Sequence, residues 1–233
     1  MLDGDWRALV RQARDLLDGH TGRLGIHGPF DGLTLLSRDA KVRALTTQRL
    51  CAGVEFAAEI GATHMVVHSP FLFFGSAFAP HGPGSRRAED TELAHATLQP
   101  VLSLAAQANC TLVLENILDT NPAPLLALVR SFESHYVRLS VDTGHAFITH
   151  HRGGATPDQW VREAGALLEH IHVQDTDGNL DRHWAVGNGS INWHAVFEAI
   201  GGLEQHPRLL LEVRNKADIA RSTRWLVEHG FAR

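Results

Sequence analysis

Cysteine is scarce. The chain has two in 233 residues, Cys51 and Cys110, far apart and not part of a Cys-x-x-Cys pair. That excludes a disulfide framework and suits small thiols buried in a reducing compartment. Lysine is equally thin, with only Lys41 and Lys216. The formal net charge is -5, which provides no general attraction to a phosphate backbone, so duplex nucleic acid is not the expected partner. No apolar run approaches a membrane span. The opening MLDGDWRALVRQARDLL reads as a charged amphipathic helix rather than a signal peptide, and a cytoplasmic location is expected. No Gly-x-Gly-x-x-Gly follows a strand and no phosphate-binding Gly-x-x-x-x-Gly-Lys-[Ser/Thr] occurs, so neither nucleotide-site type is indicated. Internal repeats and low-complexity segments are absent too.

Histidine is the surplus, at 16 residues, more than packing asks for. Hydrophobic residues make up 44% of the chain, enough for a full core, and one domain over residues 1–233 is expected. Short apolar strands alternate with amphipathic helices. Strands are predicted at Arg23–Ile26, His64–Val67, Thr111–Leu114, Val137–Val141, His170–Gln174 and Arg208–Leu211. Helices are predicted at Asp5–Leu17, Asp39–Ile60, Ala88–Asn109, Pro122–Phe132, Pro157–Leu168, Trp193–Ile200 and Ala217–His229. Phe71–Arg87, rich in Gly, Pro and Phe, reads as a long loop over the strand ends, a lid. The pattern is that of an α/β, TIM-barrel-like (β/α) barrel. Six clear βα units stand where a closed barrel has eight, so the barrel is expected to be incomplete at its N-terminal edge. An open edge leaves unpaired backbone groups, and a second copy of the chain would cover them.

Each strand ends in a ligand-type residue: His27, His68, Glu115, Asp142, His172 and Glu212. Parallel strands present these ends at one face, where barrel enzymes keep their chemistry. Taken singly, each has a plainer reading. A lone His is more often a satisfied turn residue, Asp142 could cap a helix, and the glutamates could pair with Arg. Six such residues are costly to bury separately, but not if they share a divalent cation. In HIHVQ, strand alternation puts His170, His172 and Gln174 on one face. After Asp142, Thr143 and Gly144 read as a turn leading to His145. The polar loop after His172 adds Asp181-Arg182-His183. His150, His151, His194 and His206 are expected to be ordinary, and Gly187 and Gly189 turn formers.

The motifs HGPF (27–30), HSPF (68–71), LENI (114–117), VDTGHAF (141–147), HVQD (172–175), DRHWAVGNGSINW (181–193) and LLEVRN (210–215) resemble those of the xylose isomerase-like TIM-barrel superfamily. That superfamily holds sugar isomerases and epimerases and the endonuclease IV type of AP endonuclease. The resemblance runs from about Leu24 to the C-terminus. For the epimerases it implies one metal held by Glu115, Asp142, His172 and Glu212, with the two glutamates also moving the proton. For the endonuclease type it implies three zinc ions, with further ligands at His27, His68, His145, Asp181 and His183. Departures are the missing first two strands, the missing DNA-inserting loops, and Phe30 where a tyrosine is expected.

The resulting expectation is a metal-dependent isomerase or epimerase of a small sugar, sugar phosphate or polyol. Glu115 and Glu212 are its acid–base pair, and His145, Arg182 and Arg214 are substrate contacts. One to three divalent ions per chain are expected, zinc or manganese first, then magnesium or cobalt. The alternatives are a multi-zinc phosphoester hydrolase and a non-catalytic binding protein on the same fold. Five candidate histidines favour zinc and hence the hydrolase. The charge and absent loops speak against DNA as its substrate.

Overall fold

The computed structural model describes residues 4–71 and 87–233. The expected lid falls almost wholly outside these residues. Six strands form one sheet in sequential order: β1 (Ile26–His27), β2 (His64–His68), β3 (Thr111–Glu115), β4 (Val137–Asp142), β5 (Leu168–Val173) and β6 (Arg208–Leu211). The strands run parallel and alternate with helices, the architecture of an incomplete β/α barrel. β1 and β6 are the ends of the sheet order, as the six-unit count implies.

The chain divides into two compact units. One runs to Pro70, resumes before Leu114 and includes Ser131–Arg138. It holds α1 (Arg7–Leu16), α2 (Ala40–Glu59) and α3 (Arg87–Gln107). Asp39 caps α2 by accepting from the Lys41 N–H. Leu50, Val54 and Ala57 of α2, with Leu98, Val101 and Ala105 of α3, are buried at i, i+3 and i+4 spacings. α1 is mostly exposed, and its Arg14 reaches the Glu59 carboxylate at 2.8 Å. Cys110 is buried, while Cys51 in α2 is half-buried.

The other unit holds Glu115–Arg130 and Leu139–Arg233. It contains α5 (Thr143–His150), α6 (Pro157–Ala164), α7 (Trp193–Gly201) and α8 (Ala217–Glu228), with α4 (Pro122–Ser131) lying almost wholly inside it. β4 pairs with β5 so that Asp142 faces His172, and β5 pairs with β6. On β6, Leu209 and Leu210 stay exposed, as befits a strand with one neighbour.

Two local expectations need correcting. Thr143 and Gly144 are not a turn; they are the first residues of α5. The Asp142 side chain accepts from the His145 N–H, so a strand runs straight into a helix without a linker. The helix from Pro157 stops at Ala164, a 3-10 turn follows at Gly165–Leu167, and Leu168 already belongs to β5. Gly165, at φ 51°, ends the helix where a left-handed residue is needed. Among the described residues, no helix is long and apolar enough to cross a membrane.

Candidate metal centre

In the unit ending at Arg233, the carboxyl ends of β3, β4, β5 and β6 deliver Glu115, Asp142, His172 and the residue after β6, Glu212. Ligand atoms of Glu115, Asp142 and His172 all lie within 4.8 Å of one another. The Nδ1 of His172 contacts Glu115 Oε1 and lies 3.2 Å from Glu212 Oε2 and 4.0 Å from Asp142 Oδ2. Glu115, Asp142 and His172 are buried, and the Glu212 side chain is about a third exposed (31%). His170 and His172 share a face of β5, their ring centroids 4.6 Å apart, while Ile171 and Val173 are buried on the other. His170 lies edge-on to His172 and meets Ser140 Oγ at 2.9 Å.

The electrostatics suit a cation. Burial pushes the Asp142 carboxyl up to about 7, with Glu115 and Glu212 adding to the rise against His145 and His172. Burial opposes charge on His172, yet Glu115, Glu212 and Asp142 outweigh it and hold the imidazole up at about 9. Three carboxylates crowding one imidazole are a hard donor set that a divalent ion neutralises, so these residues fit a metal.

A second cluster adjoins the first within the same unit. Asp181 Oδ2 is 2.8 Å from His183 Nε2 and 3.7 Å from His145 Nε2. Each imidazole is oriented by a main-chain carbonyl. His145 Nδ1 donates to Asn116 O at 3.0 Å, and His183 Nδ1 donates to Glu212 O at 3.2 Å. A carbonyl only accepts, so both rings carry a proton on Nδ1; without an ion the His183 Nε2–H donates to Asp181 as well, and a bound cation would take the place of that Nε2 proton. Burial lowers the His145 pKa, but Asp142 and Asp181 override it and raise it to about 10. Burial would raise Asp181, yet the imidazoles beside it hold its carboxyl well below the usual range. His183 stands at φ 50°, a left-handed conformation that costs a non-glycine residue about 1 kcal/mol or more.

Sequence reasoning missed the residues that fix these ligands. Asn116, fully buried, brackets the Asp142 backbone: its Oδ1 accepts from Asp142 N at 2.8 Å, and its Nδ2 donates to Asp142 O at 3.1 Å. The Gln174 amide donates to Asp142 Oδ1 at 3.2 Å and Asp181 Oδ1 at 2.8 Å, and accepts from His183 N at 3.1 Å. Thr143 Oγ1 donates to Gln174 O at 2.9 Å. The available signal was an amide directly after a strand-ending glutamate, and the shared face of Gln174 and His172.

The other sequence candidates fall as follows. In the first unit, His27 and His68 meet Nε2 to Nε2 at 3.1 Å, and Phe30 stacks on His68 at 4.4 Å. His27 Nδ1 donates to Gly28 O at 2.8 Å, so its Nε2 is the one presented. The Arg182 guanidinium is engaged by Asp177 at 3.0 Å and sits 5.3 Å from the Trp184 ring centre. Arg214 is exposed.

Comparison with known proteins gives the family. The model of the xylose isomerase-like TIM barrel family matches residues 2–229. The uncharacterized protein MJ1311 of Methanocaldococcus jannaschii is 24% identical over 229 residues, covering 94% of this chain and 74% of that protein. Among solved structures, a D-tagatose 3-epimerase-like protein superposes with a TM-score of 0.79 at 24% identity, covering 96% of this chain and 82% of that one. The TTHB071 protein from Thermus thermophilus, soaked with ZnCl2, matches with a TM-score of 0.72 at 31% identity, covering 98% of this chain and 85% of that one. The chain belongs to the xylose isomerase-like TIM barrel family.

Proposed function

We propose that this protein is a divalent-metal-dependent isomerase or epimerase acting on a small sugar or sugar phosphate. The observation that carries the reading is the pair Glu115 and Glu212, both reaching one imidazole, His172, beside the buried Asp142. The sugar epimerases among the structural neighbours support it at the level of fold. Glu115, Asp142, His172 and Glu212 would hold the ion, which when bound polarises the substrate carbonyl and acidifies the neighbouring C–H. Glu212, the more exposed of the two glutamates, would take the proton from that carbon. Glu115, buried to 1% exposure, would return one, giving an enediolate between the two transfers. Tyrosine and lysine are not needed in this scheme. His145, Arg182 and Arg214 are the proposed substrate contacts; Arg182 would have to exchange its hold on Asp177 for the ligand.

The test is deuterium wash-in at the carbon next to the carbonyl, over a panel of ketoses and aldoses with Mn²⁺, Mg²⁺, Co²⁺ or Zn²⁺. Exchange that Glu212→Gln abolishes is the expected result. Metal-loaded protein that exchanges no sugar in the panel counts against the reading.

A second reading has its own observation. The Nε2 atoms of His145 and His183 converge on Asp181, a nitrogen-rich donor set that suits zinc. A neighbour at 31% identity was soaked with ZnCl2, which supports a divalent ion in this fold. Two ions in neighbouring positions would serve a phosphoester hydrolase. Cleavage of an abasic-site duplex that EDTA stops would favour it; a single ion per chain would remove it.

A further inference from the structure

Directly after His172-Val173-Gln174 comes Asp175, a carboxylate with no exposure to solvent. Its oxygens bond to none of the ligand atoms described above. Instead, four N–H groups converge on it. Oδ1 accepts from Thr176 N at 2.9 Å and Ile191 N at 3.3 Å. Oδ2 accepts from Gly187 N at 2.9 Å and the Trp193 indole Nε1 at 2.9 Å. Its main chain also exchanges two hydrogen bonds with Trp184, each 3.0 Å. These partners span the whole loop 176–192, which carries Asp181 and His183. The loop is tailored to the contact: a Cβ on Gly189 would stand 2.3 Å from Asp175 Oδ1 and 2.3 Å from Thr176 O.

The strained residue of this loop is His183, at φ 50°. A left-handed non-glycine residue persists only where its surroundings over-determine it. Gln174 Oε1 and Arg214 N bond the His183 main chain directly, and the bridge at Trp184, one residue on, with the bonds from Asp175 to Gly187, Ile191 and Trp193, fixes the loop on either side of it. A buried carboxylate satisfied by four N–H groups is an expensive device where a neutral turn would close a loop.

We propose that Asp175 is the positioning residue of the His145–Asp181–His183 cluster: it ties loop 176–192 so that His183 keeps its left-handed backbone and aims Nε2 at Asp181. The proposal rests on the reading that this cluster binds a second ion. Asp175 touches neither substrate nor metal and acts through the loop. Second-sphere partners of metal ligands commonly set affinity by about 10–100-fold.

Full-length wild type, Asp175→Asn and Trp193→Phe would be dialysed against zinc and compared by elemental analysis, zinc titration and melting temperature. Asp175→Asn turns an amide NH2, itself a donor, toward two of the four donors. Trp193→Phe removes one donor and leaves the fold-forming contacts, so it remains informative where Asp175→Asn does not fold. The expected result is that wild type binds two or more zinc ions. The variants then keep the tighter one and bind the other about tenfold or more weakly in Asp175→Asn, and a few-fold more weakly in Trp193→Phe. Unchanged affinities in both variants, with two ions in wild type, overturn the proposal while leaving the second-ion reading intact. Parallel loss of all zinc and of melting temperature also overturns it, because Asp175 then merely holds the fold. One zinc in wild type removes the second-ion reading and the proposal with it.

Discussion

Asn116→Ala isolates the contribution of the residue that brackets Asp142. The Asn116 side chain satisfies both the N–H and the C=O of Asp142, at 2.8 and 3.1 Å, in a place with no solvent exposure for either residue. Truncation leaves two buried main-chain groups without these partners. Each such group costs about 1–3 kcal/mol, so about 2–6 kcal/mol is expected, with the low end applying if water enters the space. That is a large part of a typical domain's 5–15 kcal/mol of stability, roughly. Urea denaturation of metal-free protein measures it. Asn116→Asp is the informative companion. One of its oxygens still accepts from Asp142 N, but the other faces the Asp142 carbonyl, and a further carboxylate joins a crowded group. It should be worse than Asn116→Ala without metal, and the difference should shrink when zinc or manganese is added. Affinity for the ion should drop about 10–100-fold in Asn116→Ala. A stability loss below about 0.5 kcal/mol with unchanged metal affinity would refute the idea that Asn116 holds Asp142 in place.

Metal-free protein should lose stability as pH rises. The Asp142 carboxyl sits at about 7 against an ordinary 3.8, so its contribution is complete below the ordinary value and gone above pH 7. His172 at about 9 and His145 at about 10 contribute fully below 6.5 and lose that contribution as pH passes those values. Melting temperature under EDTA should therefore fall from pH 5 to pH 10, and zinc or manganese at pH 8 should restore it; a flat or rising profile contradicts the assignment. Gly144→Ala places a Cβ 2.3 Å from Gln174 Cδ, and should cost about 1–3 kcal/mol and weaken metal binding, read by thermal melts and titration. Burial raises both thiols, Cys110 to about 11, so in native protein Cys110 should resist alkylation and Cys51 should react slowly. Denaturant should release two reactive thiols, and rapid labelling of both without it would contradict their burial.

The parallel strands and the ligand-type residues at their ends could be read from sequence because two simple periodicities carry them. Apolar runs in LVLE and LSVD mark buried parallel strands, and a carboxylate ending such a run has nowhere to go but the sheet edge. The parity of HIHVQ went further, since strand alternation assigns His170, His172 and Gln174 to one face without any tertiary knowledge; His170 stands edge-on to His172, and Gln174 reaches Asp142 as His172 does. The parts that were not legible depend on side chains that switch partners at an element boundary. Asp142 looked like either a ligand or a helix cap. It is a cap, through Oδ1 to His145 N at 2.7 Å, while its Oδ2 lies 4.0 Å from His172 Nδ1. Its two oxygens point to different neighbours, one to the helix it starts and one toward His172, and a pattern that assigns one role per residue hides that helix. Asn116, Gln174 and Asp175 escaped for a related reason: each satisfies groups brought near by the fold, at sequence separations of 26, 32 and 18 residues for their contacts to Asp142, Asp142 and Trp193. Local propensity has no access to such pairs. The candidate centre therefore divides into ligand-type residues, which strand ends announce, and the amides of Asn116 and Gln174 that bond to them, which only the folded chain reveals. Both classes must be kept for the ligand geometry to hold, so substitution of an orienting residue should affect metal binding nearly as strongly as substitution of a ligand.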